Sequence, residues 1–429
     1  MLAFTVIVLA VLLSVGMPIA FALGVSSVFV FQKLGDPFLF KLIAQRMFAG
    51  CDKFVLLAIP FFIFAGQVMS LSGITDRLIG FSNALVGHLR GGLAHANIVA
   101  SIFFAGLTGS AVSDTAAIGT VMIPAMEKEG YDLGFSAAVT GASSVIGPII
   151  PPSIIMVIYA VVMQVSVGGL FAAGLLPGLL VGVTLMIAAY FISRRRNYPK
   201  KAHMAPLGEM WNAFRGAILA LVMPVLILGG ILTGFFTPTE AAAVAVAYGL
   251  FVGIVIFRNI KPKALKEAVI ETCITTGIVL FVLGTATVFG WIVAAERMSE
   301  KLAQALLSVS NNPYIILFLI NLILIVAGMF MDTGVAIILL GPILGPIGIQ
   351  MGLHPLHFAI VMCVNLTVGL ATPPMGLILF VTCGITELSM ERLVKAILPF
   401  LMVELFVVFL ITYVPIIPML IPRLLGYIK

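Results

Sequence analysis

Two Pro-Pro pairs, Pro151-Pro152 and Pro373-Pro374, each sit inside a long apolar stretch, and each follows a nearby glycine, Gly147 and Gly369. Proline lacks an amide hydrogen and its ring clashes with the carbonyl one turn back, so two in succession break a helix and free carbonyl oxygens. Within a bilayer such oxygens persist only where protein, water or a ligand satisfies them, which makes the breaks candidate cradles for a hard cation such as sodium. A pair of structural kinks is the alternative. Two further stretches, Gly106 to Thr115 and Gly328 to Gly334, combine small residues with hydroxyls and one Asp each. Small residues let backbones approach closely. An ionised Asp at the centre of a membrane helix costs about 2.5 to 3.5 kcal/mol on insertion scales, so Asp114 and Asp332 either face a polar cavity or cap a half-helix, with Thr115 and Thr333 following. Ser113 belongs to the same stretch. Thr140, Ser143 and Ser144 near the first break, and Asn365, Thr367 and Thr372 near the second, are candidates for the same cavity, with helix packing as their alternative role. No Arg or Lys lies near either Asp, so an anionic substrate would have to be neutralised by half-helix N-termini and bound cations.

The elements that must position these groups are membrane helices. Of 429 residues 62% are apolar and 9% charged, a balance that excludes a water-soluble domain of this size. Apolar segments lie at about 3–31, 54–72, 134–164, 168–192, 213–234, 239–257, 265–293, 357–385 and 394–422. The first is read as a retained transmembrane segment, one helix or two around Pro18. Around 98–126 and 314–350 the chain is apolar but interrupted, as expected of hairpins that enter the membrane and return. The net charge of +6 does not indicate nucleic acid, because the basic residues occupy short loops with no interleaved aromatics. The cluster Arg194, Arg195, Arg196, Lys200 and Lys201 marks a cytoplasmic linker, whereas Lys33, Lys41, Arg46 and Lys53 then fall outside, against the positive-inside rule.

The chain repeats itself. Ser113-Asp114-Thr115 aligns with Met331-Asp332-Thr333 at an offset of 218, which also carries Pro124 onto Pro342 and Gly130 onto Gly348; after a four-residue insertion Gly147 to Pro152 aligns with Gly369 to Pro374. Upstream, Thr75 and Ser299 are candidate N-caps of amphipathic interfacial helices. An odd number of crossings separates the copies, so the repeat is inverted. The expected organisation is a first repeat at 1–193 with a hairpin at about 98–126 and a broken helix at about 134–164, a cytoplasmic basic linker at 194–212, and a second repeat at 213–429 with a hairpin at about 314–350 and a broken helix at about 357–385. The fold class is all-α polytopic membrane protein.

The four cysteines and five histidines have neither disulfide nor metal-ligand spacing. Glu240 in Thr237-Pro238-Thr239-Glu240 opens a helix, with Thr237 or Thr239 as N-cap. An intramembrane aspartyl enzyme is the competing class, but no GxGD-like context surrounds either Asp and no HExxH, GxSxG or Walker A motif occurs. A passive channel fits paired broken helices less well than alternating access does.

Gly16-Met17-Pro18-Ile19-Ala20-Phe21, Gly234 to Ala242, Gly147 to Pro152 and Gly369 to Pro374 resemble the large membrane subunit of TRAP (tripartite ATP-independent periplasmic) transporters along essentially the whole chain. That resemblance implies an elevator-type, sodium-driven secondary transporter of the bacterial inner membrane. It implies as partners a small four-helix membrane subunit, here a separate chain, and a soluble periplasmic substrate-binding protein. Substrates of the family are carboxylate-bearing organic acids such as sialic acids or C4-dicarboxylates; an ion-coupled anion transporter working without a binding protein is the alternative. Transferred by position, the resemblance implies one sodium site at Ser110, Gly147, Ile150 and Pro151, and another at Gly328, Gly369, Thr372 and Met375, mostly through carbonyl oxygens.

Overall fold

The computed structural model describes residues 2–200, 203–310 and 312–428; Lys201 of the basic cluster lies outside the described residues. These residues form helices and no strand. In chain order the helices are α1 (Leu2–Ser14), α2 (Ile19–Leu34), α3 (Phe38–Cys51), α4 (Ala58–Leu71, entered through a 3-10 turn at Phe54–Leu57), α5 (Ile74–Val86), α6 (Gly92–Thr108), α7 (Ala111–Lys128), α8 (Leu133–Ser144), α9 (Ile154–Met163) and α10 (Val167–Arg195). The second half contains α11 (Leu207–Leu232), α12 (Pro238–Leu250, continued by a π-helical turn at Phe251–Ile256), α13 (Pro262–Ala295), α14 (Met298–Val309), α15 (Pro313–Phe330), α16 (Thr333–Gln350), α17 (Pro355–Gly369), α18 (Leu377–Thr386), α19 (Met390–Tyr413) and α20 (Ile416–Leu424). Eight of the described helices are long and apolar enough to cross a membrane.

The first apolar segment resolves into two helices, because Gly16 takes a left-handed conformation and Pro18 starts α2. The last one also divides, with α19 stopping at Tyr413 and α20 restarting after Pro415. Thr237, rather than Thr239, caps α12: its side chain accepts from the Glu240 amide while Glu240 accepts from the Thr237 amide at 2.8 Å. Thr237→Ala is expected to cost about 1 kcal/mol of stability, readable as a lower unfolding temperature of the purified protein. The amphipathic helices α5 and α14 begin one residue before the expected Thr75 and Ser299, after Gly73 and Arg297, both with positive φ. Ser299 is therefore not a cap; its hydroxyl donates to the Pro342 carbonyl of α16 at 3.1 Å.

The interrupted helices form the centre. α8 is buried from Gly134 to Ser144 and α17 from Leu356 to Gly369, as expected of helices that carry no charged side chain there, with their hydroxyls and Asn365 hydrogen-bonded inside the core. Around them lie α6 and α7, a hairpin; α15 and α16, a second hairpin; and α10 and α19. A framework surrounds this core: α4 packs chiefly on α12 and α13, α13 also runs along α2 and α3, and α5 lies between α6 and α11.

The two hairpins open from opposite faces. At the base of the first, the Gly91 amide donates to the Pro199 carbonyl, beside the basic linker. On that same face Asp132 receives Arg196 and Arg392, at 3.4 and 3.2 Å, so α19 also begins there. It ends on the other side, where the Tyr413 hydroxyl donates to the carbonyl of Tyr314 at the base of the second hairpin. Lys53 donates to the Val161 carbonyl in the last turn of α9, also on the face away from Arg196, at 3.2 Å. A cation at a helix C-terminus is favourable, which gives Lys53, one of the four basic residues expected outside, a local partner.

The hairpin tips and interrupted helices of the repeat stand 222 positions apart, not 218. Ser110, the N-cap of α7, pairs with Asp332, the N-cap of α16. Gly130 and Gly352, which both take positive φ after their hairpins, form another such pair, and so do Asp132 and His354, the N-caps of α8 and α17. Pro124 pairs with Pro346 and Gly106 with Gly328. The four-residue insertion disappears, and Asp114 and Asp332 are not equivalent.

Candidate functional site: two hairpin tips against two helix breaks

Each break forms as the proline chemistry demands. After α8 the chain tightens, with the Val145, Ile146 and Gly147 amides each reaching back three residues, and then passes through a cis Pro151-Pro152 bond. Ser153 restarts the helix: its hydroxyl accepts from the Met156 amide and donates to the Pro148 carbonyl. After α17 the Leu370, Ala371 and Thr372 amides reach back three residues in the same way, before a cis Pro373-Pro374 bond. The carbonyls left without helical partners belong to these segments.

Hairpin tips sit directly on the breaks. Gly109 turns the first hairpin with φ +60, and a Cβ there would lie 2.7 Å from the Pro152 carbonyl oxygen. A Cβ on Gly147 would lie 3.3 Å from the Ser110 carbonyl oxygen. The contact at the second hairpin is closer: a Cβ on Gly369 would lie 2.6 Å from the Gly328 Cα, and one on Gly328 would lie 2.6 Å from the Leu366 carbonyl oxygen. Only glycine permits this approach of backbone to backbone. The Thr372 hydroxyl donates to the Val368 carbonyl at 2.9 Å, leaving its lone pairs free. Ile150 and Pro151 are buried, whereas Met375 is exposed.

A cavity of about 680 Å³ is lined by the tips on one side and by α4 and α13 of the framework on the other. Ser110, Ser113, Asp332 and Thr333 line it from the hairpins, and Gln67 and Glu271 from the framework; no Lys, Arg or His is among its lining residues. Asp332 caps α16 by accepting from the Gly334 amide at 2.9 Å.

The other residues expected at the cavity stand behind it. Thr115 donates to the Ala111 carbonyl and Thr367 to the Cys363 carbonyl, both within their own helices. Asn365 donates to Asn321 across α15 and α17, which puts a buried amide pair there. Thr140 accepts from Asn97 at 2.6 Å. Asp114 lies inside α7, fully buried, and is not the cap; Ser110 takes that role because its β-region backbone precedes the first helical residue. Sequence reasoning passed over Gln67 and Glu271, which carry no motif, and Glu404, a fully buried acid in α19 whose two oxygens have no hydrogen-bond partner. An acid in the middle of a 24-residue apolar helix, well past Glu391 in its first turn, was the available signal for Glu404.

Residues 6–417 match the family model described as the DctM component of the tripartite ATP-independent periplasmic transporter. The chain is 41% identical over 421 residues to the sialic acid TRAP transporter large permease protein SiaM of Vibrio cholerae, covering 97% of each. It is 38% identical to the C4-dicarboxylate TRAP transporter large permease protein DctM of Pseudomonas aeruginosa, covering 90% of each. Its fold is similar to the crystal structure of the Alcanivorax borkumensis YdaH transporter, with a TM-score of 0.58 at 16% identity over 91% of this chain and 88% of that one. Hairpins opposed across an inverted repeat, breaks held under their tips and these likenesses agree: the chain belongs to the DctM family, the large permease component of TRAP transporters, and is a multi-pass inner-membrane transport protein rather than an enzyme.

Proposed function

We propose that this chain carries out sodium-coupled secondary uptake of a carboxylate-bearing organic acid of the sialic acid or C4-dicarboxylate class, by an elevator movement of the hairpin-bearing core against the framework. The observation that carries this reading is the cavity bounded by both hairpin tips and by α4 and α13, with Glu271 and Asp332 but no basic side chain in its lining. A carboxylate entering it needs positive charge. The N-termini of α7, α9 and α16 supply part of it. Sodium ions held beneath the tips supply the rest, and the Gly328–Gly369 contact, where a single Cβ would not fit, suits carbonyl ligation of a small cation. Ser110, Gly147, Ile150 and Pro151 would hold one ion, and Gly328, Gly369, Thr372 and Met375 the other. The second set offers the Thr372 hydroxyl where the first has Ile150, so the two differ in affinity.

The partners are a small four-helix membrane subunit and a periplasmic binding protein that delivers the acid. Proteoliposomes holding both membrane subunits are expected to accumulate labelled sialic acid or succinate from the loaded binding protein under an inward sodium gradient, and not under choline. Accumulation from free substrate alone would favour an anion transporter that needs no binding protein. Uptake indifferent to sodium would overturn the coupling.

A further inference from the structure

Asp114 is an acid enclosed in the core. It is fully buried in α7, one turn behind the tip of the first hairpin, and neither carboxyl oxygen makes a hydrogen bond. The hydroxyls of Ser144 and Ser101 lie beside it. Both direct their protons elsewhere: Ser144 donates to the Thr140 carbonyl at 2.8 Å, and Ser101 donates to Ser143 at 3.0 Å. Ser143 in turn donates to the Asn97 side-chain oxygen at 3.2 Å, while Asn97 donates to Thr140. Each of these protons has an acceptor other than the carboxyl group. Asp114 faces the hydroxyl oxygens of Ser101 and Ser144.

An ionised carboxylate so enclosed is stable only when paired. A proton would satisfy one oxygen of such a set, whereas a small hard cation engages several at once. The charge count favours a monovalent ion, because one carboxylate joins neutral hydroxyls, and among the described residues no three His, Cys, Asp or Glu side chains gather. The second repeat supplies a control. There the positions of Asp114, Ser144 and Ser101 are occupied by Ala336, Leu366 and Ile323. At these three positions the second hairpin packs on its interrupted helix with apolar residues, the polar pair there being Asn321 and Asn365 instead, so the fold does not require an acid or its serines at these positions.

We infer that Asp114, Ser101 and Ser144 form a sodium site of their own, set behind the carbonyl-lined sites and present in the first repeat only. This inference rests on the sodium coupling proposed above. In transport it would place a full negative charge within the moving core, neutralised only while the ion is bound, and so add one sodium to those held by backbone oxygens.

Equilibrium binding of radioactive sodium to the purified two-subunit complex tests it. Asp114→Asn keeps the side-chain shape and is expected to bind one sodium fewer at saturation than the wild type, with an unfolding temperature in choline no lower than the wild type's. Equal stoichiometry would overturn the inference and leave Asp114 as a protonated acid. If the wild type itself binds no sodium, both the site and the coupling reading fail. Should Asp114→Asn not fold, Ser144→Ala removes one neutral ligand and is expected to weaken one class of site about tenfold; unchanged sodium affinity would also overturn the inference.

Discussion

Gly369→Ala is expected to abolish sodium-dependent uptake while leaving an assembled membrane protein. The added methyl would meet the Gly328 Cα at 2.6 Å and the Gly328 carbonyl carbon at 2.7 Å, and neither backbone can turn aside as a flexible side chain can. Over-filling of a packed core costs about 1 to 3 kcal/mol, and here the strain falls on the contact proposed to hold an ion, so sodium affinity should drop about tenfold or more. Gly147→Ala, with its closest contacts at 3.2 and 3.3 Å, should be milder. Gly384→Ala, which has open space, serves as the control and should transport normally. Sodium titration of uptake, with monodispersity as the check on folding, separates the three. Thr372→Ala should raise the sodium concentration needed for half-maximal uptake without the steric damage, since it removes a hydroxyl and no backbone oxygen.

The second large effect concerns movement. Gly66 of α4 lies against the tip of the first hairpin, and a Cβ there would be 3.1 Å from the Thr108 Cα and 3.0 Å from the Leu107 carbonyl oxygen. A Gly66→Cys, Thr108→Cys pair, with Cys51, Cys273, Cys363 and Cys383 replaced by Ser, is therefore within reach of a disulfide. Oxidation should stop uptake and reduction should restore it, because the framework would then hold the core in one position. Full cross-linking with unimpaired uptake would contradict the elevator movement.

Much of this architecture can be read from residue order. Proline cannot donate, and two in succession break a helix, so Pro151-Pro152 and Pro373-Pro374 announced both breaks, and the inverted repeat followed from their recurrence. The register was harder. Asp114-Thr115 and Asp332-Thr333 look alike, yet the structurally equivalent pair is Ser110 and Asp332, two different residues doing the same capping work. Identity of side chains misled where identity of role would not have. The buried network of Asn97, Ser101, Asp114, Thr140, Ser143 and Ser144 is spread over three helices, and its members are adjacent only after those helices pack. Its one local trace is the spacing of Asn97 to Ser101 and of Thr140 to Ser144, four residues each, which places polar groups on one face of otherwise apolar helices. Gln67 and Glu271 have no such trace, because a wall of a cavity is defined by what lies across from it.

Simultaneous measurement of sodium and substrate entry into the same proteoliposomes, supplied with loaded binding protein, tests the coupling most directly. More than one sodium should enter with each carboxylate, in a fixed ratio that falls in Asp114→Asn. Substrate accumulation without sodium entry would contradict the proposed mechanism.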